Sequence, residues 1–264
     1  MRSQCTQCGG TVCENNNTEP EPETNDVIKG THFWDCSGGA CDSRTLQPWD
    51  PAKYKYVPEY APQDPNDHGG ALHGEKMWMT GAASDGLSAL LNGDDGCCGS
   101  DPDGGGGCGK CVLVQNPSAV NKDWKVLVMK KNRCPPESSG CGNGNLHLDL
   151  AAPAYDNLQW SLSNTCGQPD TIITQEQSTS CGSWWNNGDS TITGCTCASM
   201  PSSTPQEQML KKGCELFSSW GWTSGDPELT YEVVTCPTAF TSLIKNAFDE
   251  NGPTNKEQSE EEEE

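Results

Sequence analysis

Apolar residues come in short bursts along this chain. The runs "CVLVQ" (111–115), "WKVLVMK" (124–130), "LHLDL" (146–150) and "LTYEVVTC" (229–236) are β-rich and of strand length, and long stretches of Gly, Pro, Ser and Asn separate them. In "NLHLDLAAP" (145–153) a period of two puts Leu146, Leu148 and Leu150 on one face and His147 and Asp149 on the other. The leucine face belongs to a core, so Asp149 looks toward solvent or a cleft. "MWMTGAASDGLSALL" (77–91) reads as a helix weakened by its glycines. A stronger helix begins at Thr204-Pro205-Gln206-Glu207, with Thr as N-cap, Pro at the first position and Glu at the third, and continues through Met209, Leu210, Cys214 and Phe217. The pattern predicts mainly β structure with a few peripheral helices, arranged as a small barrel.

Composition adds the compartment. The chain has 264 residues with 33% apolar, so much of it must be loop, and it carries 17 cysteines. That many thiols suit an oxidising compartment, which predicts a secreted, disulfide-bonded protein whose pairing the sequence does not give. The alternative is structural zinc, because Cys5–Cys8 and Cys108–Cys111 have ligand-like spacing, although partner pairs at suitable distances are missing. A net charge of −21 repels phosphate backbones and anionic lipid surfaces, so nucleic acid and membranes are poor partners and a neutral polymer or a cation remains. No apolar run approaches a membrane span, and the start of the chain has no leader-like apolar stretch, so it reads as a mature form or an excised piece whose signal was removed. Residues 1–27 read as a Cys-containing fragment and an acidic, Pro-rich linker. Residues 28–246 form the folded body, and 247–264 an acidic disordered tail.

The candidate chemistry lies in two places. "THFWDCSGGAC" (31–41) sets Phe33 and Trp34 before a carboxylate, Asp35, followed by Cys36 and Cys41; the second place is Asp149 on its strand. On pattern alone Asp35 caps a turn beside a cysteine and Asp149 is an ordinary polar strand residue. The four His show no HExxH spacing, no Ser sits in a nucleophile elbow, and the Gly runs lack a P-loop ending.

Taken in order, these stretches resemble the glycoside hydrolase family 45 endoglucanases. "THFWDCSGGAC" is similar to the family's Thr-Arg-Tyr-Trp-Asp-Cys signature and "LHLDL" to its His-Phe-Asp-Leu strand. "CGKCVLVQNP" with "WKVLVMKKN" is similar to its Cys-rich strand pair, and 213–237 to its closing segment. The resemblance implies a six-stranded double-psi β-barrel with long disulfide-tethered loops. It also implies hydrolysis of β-1,4-glucan with inversion, Asp149 acting as general acid and Asp35 as general base, and His147 as the histidine before the acid. No cofactor or metal is implied, and the protein is expected to act as a monomer. Such carboxylates stand roughly 6.5 to 9.5 Å apart and need unlike environments.

A glucan offers flat apolar ring faces. Phe33, Trp34, His147 and the adjacent Trp184 and Trp185 are the candidate substrate contacts, with Trp49 and Trp78 weaker ones, while Trp124 and Trp220 are expected in the core. Three positions depart from the family. Phe33 stands where it has Tyr, His32 where it has Arg, and Gly142 where it has a further loop Asp, for which Glu137 is the candidate replacement. Two rival classes stay open. One is an expansin-like protein that binds wall polysaccharide without cutting it; such proteins resemble the same barrel but generally lack the first Asp. The other is a calcium-binding secreted protein using Asp94, Asp95, Asp101 and Asp103, whose spacing fits no known calcium loop.

Overall fold

The computed structural model describes residues 27–34, 39–43, 57–101, 104–153, 197, 202–222 and 226–251. Six strands close into a barrel: β1 (Ile28–Phe33), β2 (Met77–Ser84), β3 (Cys111–Gln115), β4 (Val126–Cys134), β5 (His147–Ala151) and β6 (Glu228–Val234). Around the ring they run β1-β5-β2-β4-β3-β6 and back to β1. The β1–β5 and β2–β4 pairs are parallel and the others antiparallel. Adding three to each strand number in the first half, and subtracting three in the second, maps this ring onto itself and exchanges the two parallel pairs. The barrel therefore has a pseudo-twofold built from its two sequence halves. This is the six-stranded barrel that the sequence motifs imply.

One cluster of buried residues draws on every strand, with Ile28, Met79, Val112, Val128, Leu150 and Leu229 among its members. Only the lumen of a closed barrel can collect side chains from all of its strands, so this is the inner core. Leu148 joins it and Leu146 packs against it, as the period-two reading of β5 requires. A second cluster lies outside the barrel, where Trp78, Leu113, Leu127 and Met129 meet α3 (Pro205–Trp220) and α4 (Thr238–Asn251) through Leu210, Cys214, Phe240 and Ile244.

The predicted α3 forms for the stated reason. Thr204 accepts from the Glu207 amide, and the Glu207 carboxylate accepts from the Thr204 amide, closing a capping box with Pro205 at the first position. The helix expected over 77–91 is corrected. Its first half is β2, buried at every position, and only Asp85–Leu90 is helical, as α2. A strand buried on both faces shows no alternation, which is why periodicity missed it. Ser84 makes the switch. Its hydroxyl accepts the Leu87 amide as N-cap and the His147 amide of β5, and donates to the Asn145 carbonyl. A further helix, α4, runs past residue 246 and was not legible in the apolar pattern.

Four disulfides lie among the described residues: Cys41–Cys108, Cys111–Cys236, Cys134–Cys141 and Cys197–Cys214. Cys108 and Cys111 thus belong to two different bridges, which overturns the zinc reading of that pair; Cys5 and Cys8 lie outside the described residues. Of the four carboxylates in the calcium reading, Asp95 and Asp101 are engaged within the protein, and Asp103 lies outside the described residues. Asp101 is buried and paired with Lys130 Nζ at 2.6 Å, and Asp95 accepts from the Asp101 and Cys108 amides. Asp95 and Asp101 thus tie residues 101 and 108 to the barrel side of this segment, and Lys130 also donates to Ser88 and to the Gly106 carbonyl.

Candidate active site

The inward residues of β1 and β5 leave Thr31, Phe33, His147, Asp149 and Ala151 on the outer face of the barrel. Strand pairing then fixes a row across four strands: Thr31 faces Asp149, Asp149 faces Ala82 on β2, and Ala82 faces Asn132 on β4. Directly paired residues share a face, so Asp149 sits mid-row on the outer face of the sheet. It is partly exposed, as its strand pattern predicted.

Thr31 ties the row together. Its hydroxyl donates to Asp149 Oδ1 at 2.8 Å and lies 2.8 Å from His147 Nε2. A hydroxyl has one hydrogen, and it is spent on Asp149, so His147 Nε2–H must be the donor to Thr31. The Nδ1 atom then carries the lone pair, and it is buried without a hydrogen-bond partner among the described residues. Burial, opposed by Asp226 and aided by Lys29, holds the His147 pKa below its ordinary value, so the ring is neutral at neutral pH. Sequence reading gave His147 as a substrate contact; it is 3% exposed and stands behind Asp149.

The Cys134–Cys141 disulfide covers this histidine. The sulfurs and a His147 ring nitrogen lie within 4.8 Å of one another, and the bridge packs against Ala82 and Phe33. The disulfide-closed loop 134–141 therefore walls one side of the row and carries Glu137, exposed and within electrostatic reach of Arg133. Arg133 is itself clamped to Asp85 by two hydrogen bonds of 2.9 and 2.8 Å, which fasten the end of β4 to α2. At Gly142 a Cβ would fall 2.7 Å from the Pro136 carbonyl oxygen. The position that carries an Asp in the resembling family has no room for a side chain in this loop.

Asp35 lies outside the described residues, but both described neighbours of its segment are fixed. On one side Phe33 is half-buried and Trp34 is 3% exposed, against the outer core. On the other side Gly39 packs so tightly on β4 that a Cβ would lie 1.9 Å from the Lys131 carbonyl oxygen. Lys131 is the extra residue of a bulge in β4, where the register shifts between Gly81 and Ala82. Its ammonium pairs with Asp42 at 2.7 Å, both side chains being 1% exposed, and lies 5.6 Å from the centre of the Tyr60 ring. Asp42, on α1 (Ala40–Ser43), accepts from the Gly39 amide and from the Tyr60 hydroxyl, while Asn132 accepts from the Ala40 amide. Burial, and then Asp42, raise the Tyr60 pKa well above its ordinary value. Phe33, Trp34, Gly39, Tyr60, Lys131 and Ala151 line one narrow cavity, so the flanks of Asp35 meet the strand of Asp149 there.

Sequence reading missed three groups here. Thr31 sat inside the quoted stretch unremarked, because its role depends on the parallel register of β1 and β5. Asp42 and Lys131 gave no local signal as a buried pair. Trp78, a weaker platform candidate, is instead wholly buried, stacked on Phe240 with ring centroids 5.0 Å apart and donating to Glu75. Trp220 is core as expected, and Trp124 is half-buried against the inner cluster. Trp184, Trp185 and Trp49 lie outside the described residues.

No protein-family profile matches the chain, and no curated protein matches it. Among solved structures, the chain is similar to a cellulase from the Antarctic springtail Cryptopygus antarcticus, with 14% identity, 82% of this chain and 94% of that chain covered, and a TM-score of 0.45. It is also similar to the GH45 endoglucanase EG27II in complex with cellobiose, with 15% identity, 83% and 86% covered, and a TM-score of 0.40. The strand ring is a closed six-stranded barrel, and β1 and β5 carry the two motifs on which the sequence resemblance rests.

Proposed function

We propose that this chain is a secreted endo-β-1,4-glucanase that cleaves internal β-1,4-glucosidic bonds with inversion, with Asp149 as general acid and Asp35 as general base. The observation that supports the reading is Asp149 on the outer face, close to the described residues that flank Asp35. Asp149 is held there by Thr31, and the residues flanking Asp35 line a cavity with Ala151, two positions beyond Asp149.

With Oδ1 accepting from Thr31, Asp149 holds the transferable proton. It passes to the glycosidic oxygen as the bond to the anomeric carbon breaks. Water adds to that carbon from the opposite face of the sugar and gives its proton to Asp35. Neutral His147 keeps positive charge away from Asp149, which leaves its carboxyl able to hold a proton before the reaction. Phe33 and Trp34 line the cavity, and Trp184 and Trp185 are the further aromatic contacts proposed for a neutral β-glucan. Glu137 on the loop wall is the assisting carboxylate. The chain works as a monomer without cofactor, and its disulfides suit an extracellular site.

A second reading, an expansin-like protein that binds glucan without cutting, draws on the missing Phe33 hydroxyl and the closed position at Gly142. Incubation with soluble β-1,4-glucan, read by NMR of the new chain ends, separates the two. The proposal predicts reducing ends that appear first as the α-anomer. Retention on insoluble cellulose with no new ends decides for the binding reading, and initial β-anomers would overturn the inverting assignment.

A further inference from the structure

Among the described residues Cys97 and Cys98 are the cysteines without a disulfide, and they are neighbours in the chain. Both are half-buried against the outer core, and Cys98 takes the left-handed φ of 66°, which a residue with a side chain holds only under constraint from its surroundings. Those surroundings are rigid. The Cys98 sulfur lies 3.7 Å from the Thr241 carbonyl oxygen of α4, and the Cys98 carbonyl accepts from the buried Lys131 ammonium. Gly109 lies so close that a Cβ there would fall 2.0 Å from the Cys97 carbonyl oxygen. On its open side Cys97 lines a cavity of about 420 Å³ together with Asn92, Lys110, Thr235 and Thr241, beside the Cys111–Cys236 bridge.

The two thiols are not equivalent. The neighbouring Cys98 side chain, and then the Lys131 ammonium, draw the Cys97 thiol down to about 7, while Cys97 and burial push Cys98 up. At neutral pH Cys97 thus carries the nucleophilic thiolate, and the cavity admits a small reagent to it.

We propose that Cys97 and Cys98 form a dithiol site for small-molecule disulfides, in which Cys97 attacks and the pair then closes to a vicinal disulfide. The Cys97 thiolate attacks one sulfur of the reagent RSSR. That S–S bond breaks, RS⁻ leaves, and Cys97–S–SR forms. The Cys98 sulfur, on losing its proton, attacks the Cys97 sulfur and expels the second RS⁻. Two thiols are oxidised by two electrons, and one RSSR becomes two RSH.

The test uses the full chain and oxidised glutathione. Remaining thiols are alkylated without reduction, and the segment carrying Cys97 and Cys98 is read by mass spectrometry before and after the oxidant. Both alkylation sites should disappear together, the segment should lose the mass of two hydrogens, and no glutathione should remain on it. Cys98→Ser, which cannot close the ring, should keep one glutathione on Cys97, and Cys97→Ser should take up none. A pair found closed before the oxidant, and reopened by dithiothreitol to two alkylatable thiols, supports the site equally. Two thiols still alkylated after the oxidant, a glutathione retained by the unaltered chain, or either cysteine bridged to a third would overturn it.

Discussion

The Thr31 hydroxyl donates to Asp149 Oδ1 at 2.8 Å across the paired parallel strands β1 and β5, and the same oxygen lies 2.8 Å from His147 Nε2. A buried histidine, a hydroxyl and the candidate acid therefore form one chain of hydrogen bonds, with each member on the outer face of the barrel.

Thr31→Val keeps the shape and deletes the link. Loss of a hydrogen bond to a carboxylate costs about 1.5 kcal/mol, so kcat for glucan hydrolysis should fall about tenfold. The hydroxyl favours the ionised carboxylate, so its loss raises the Asp149 pKa. A general acid works while protonated, and the alkaline limb of the pH–rate profile should therefore move to higher pH. Thr31→Ser should restore both rate and limb, which a purely structural role for Thr31 does not predict.

His147 gives a stability signature with a definite sign. Its pKa is lowered by burial, whereas in the unfolded chain it titrates at about 6.5. Above that value the ring is neutral in both states and contributes nothing. As the pH falls below about 6.5 the unfolded chain takes up a proton that the folded chain refuses, so stability is lost on acidification. Denaturant midpoints at pH 7.5 and 5.5 should differ more for the unaltered protein than for His147→Gln, which keeps a donor for Thr31 but does not titrate.

Much of the barrel was legible, because four of its strands announce themselves as short β-rich runs; β3 matches its run at both ends. The alternation of "LHLDL" put Asp149 on the right face. It also put His147 there, and period two has no means of showing that a disulfide loop covers one of two residues on the same face. The strand β2 was misread because burial on both faces erases alternation. The Thr31–Asp149 and Lys131–Asp42 contacts join residues 118 and 89 positions apart, and no local pattern encodes a partner at that distance.

The Lys131–Asp42 pair holds the segment that leads away from Asp35. Both side chains are 1% exposed, so removing one partner strands a buried charge. Asp42→Asn should destabilise the fold by about 3 kcal/mol or more in urea unfolding, and the double variant Asp42→Asn with Lys131→Met should recover part of that loss.

Glu137 is exposed on the loop wall, so its removal should leave the melting temperature unchanged. Glu137→Gln should nevertheless slow reducing-end release, by about tenfold if the carboxylate supplies about 1.4 kcal/mol at the transition state. An unchanged rate removes Glu137 from the mechanism.

The most direct measurement is reducing-end release from carboxymethylcellulose or soluble β-glucan by the unaltered chain, Asp149→Asn and Asp35→Asn, with folding checked by circular dichroism. General acid–base groups contribute about 10²- to 10⁴-fold each, so both variants should fall at least a hundredfold while remaining folded. An unaltered chain that releases no ends, or folded variants that cut as fast as it does, would contradict the account.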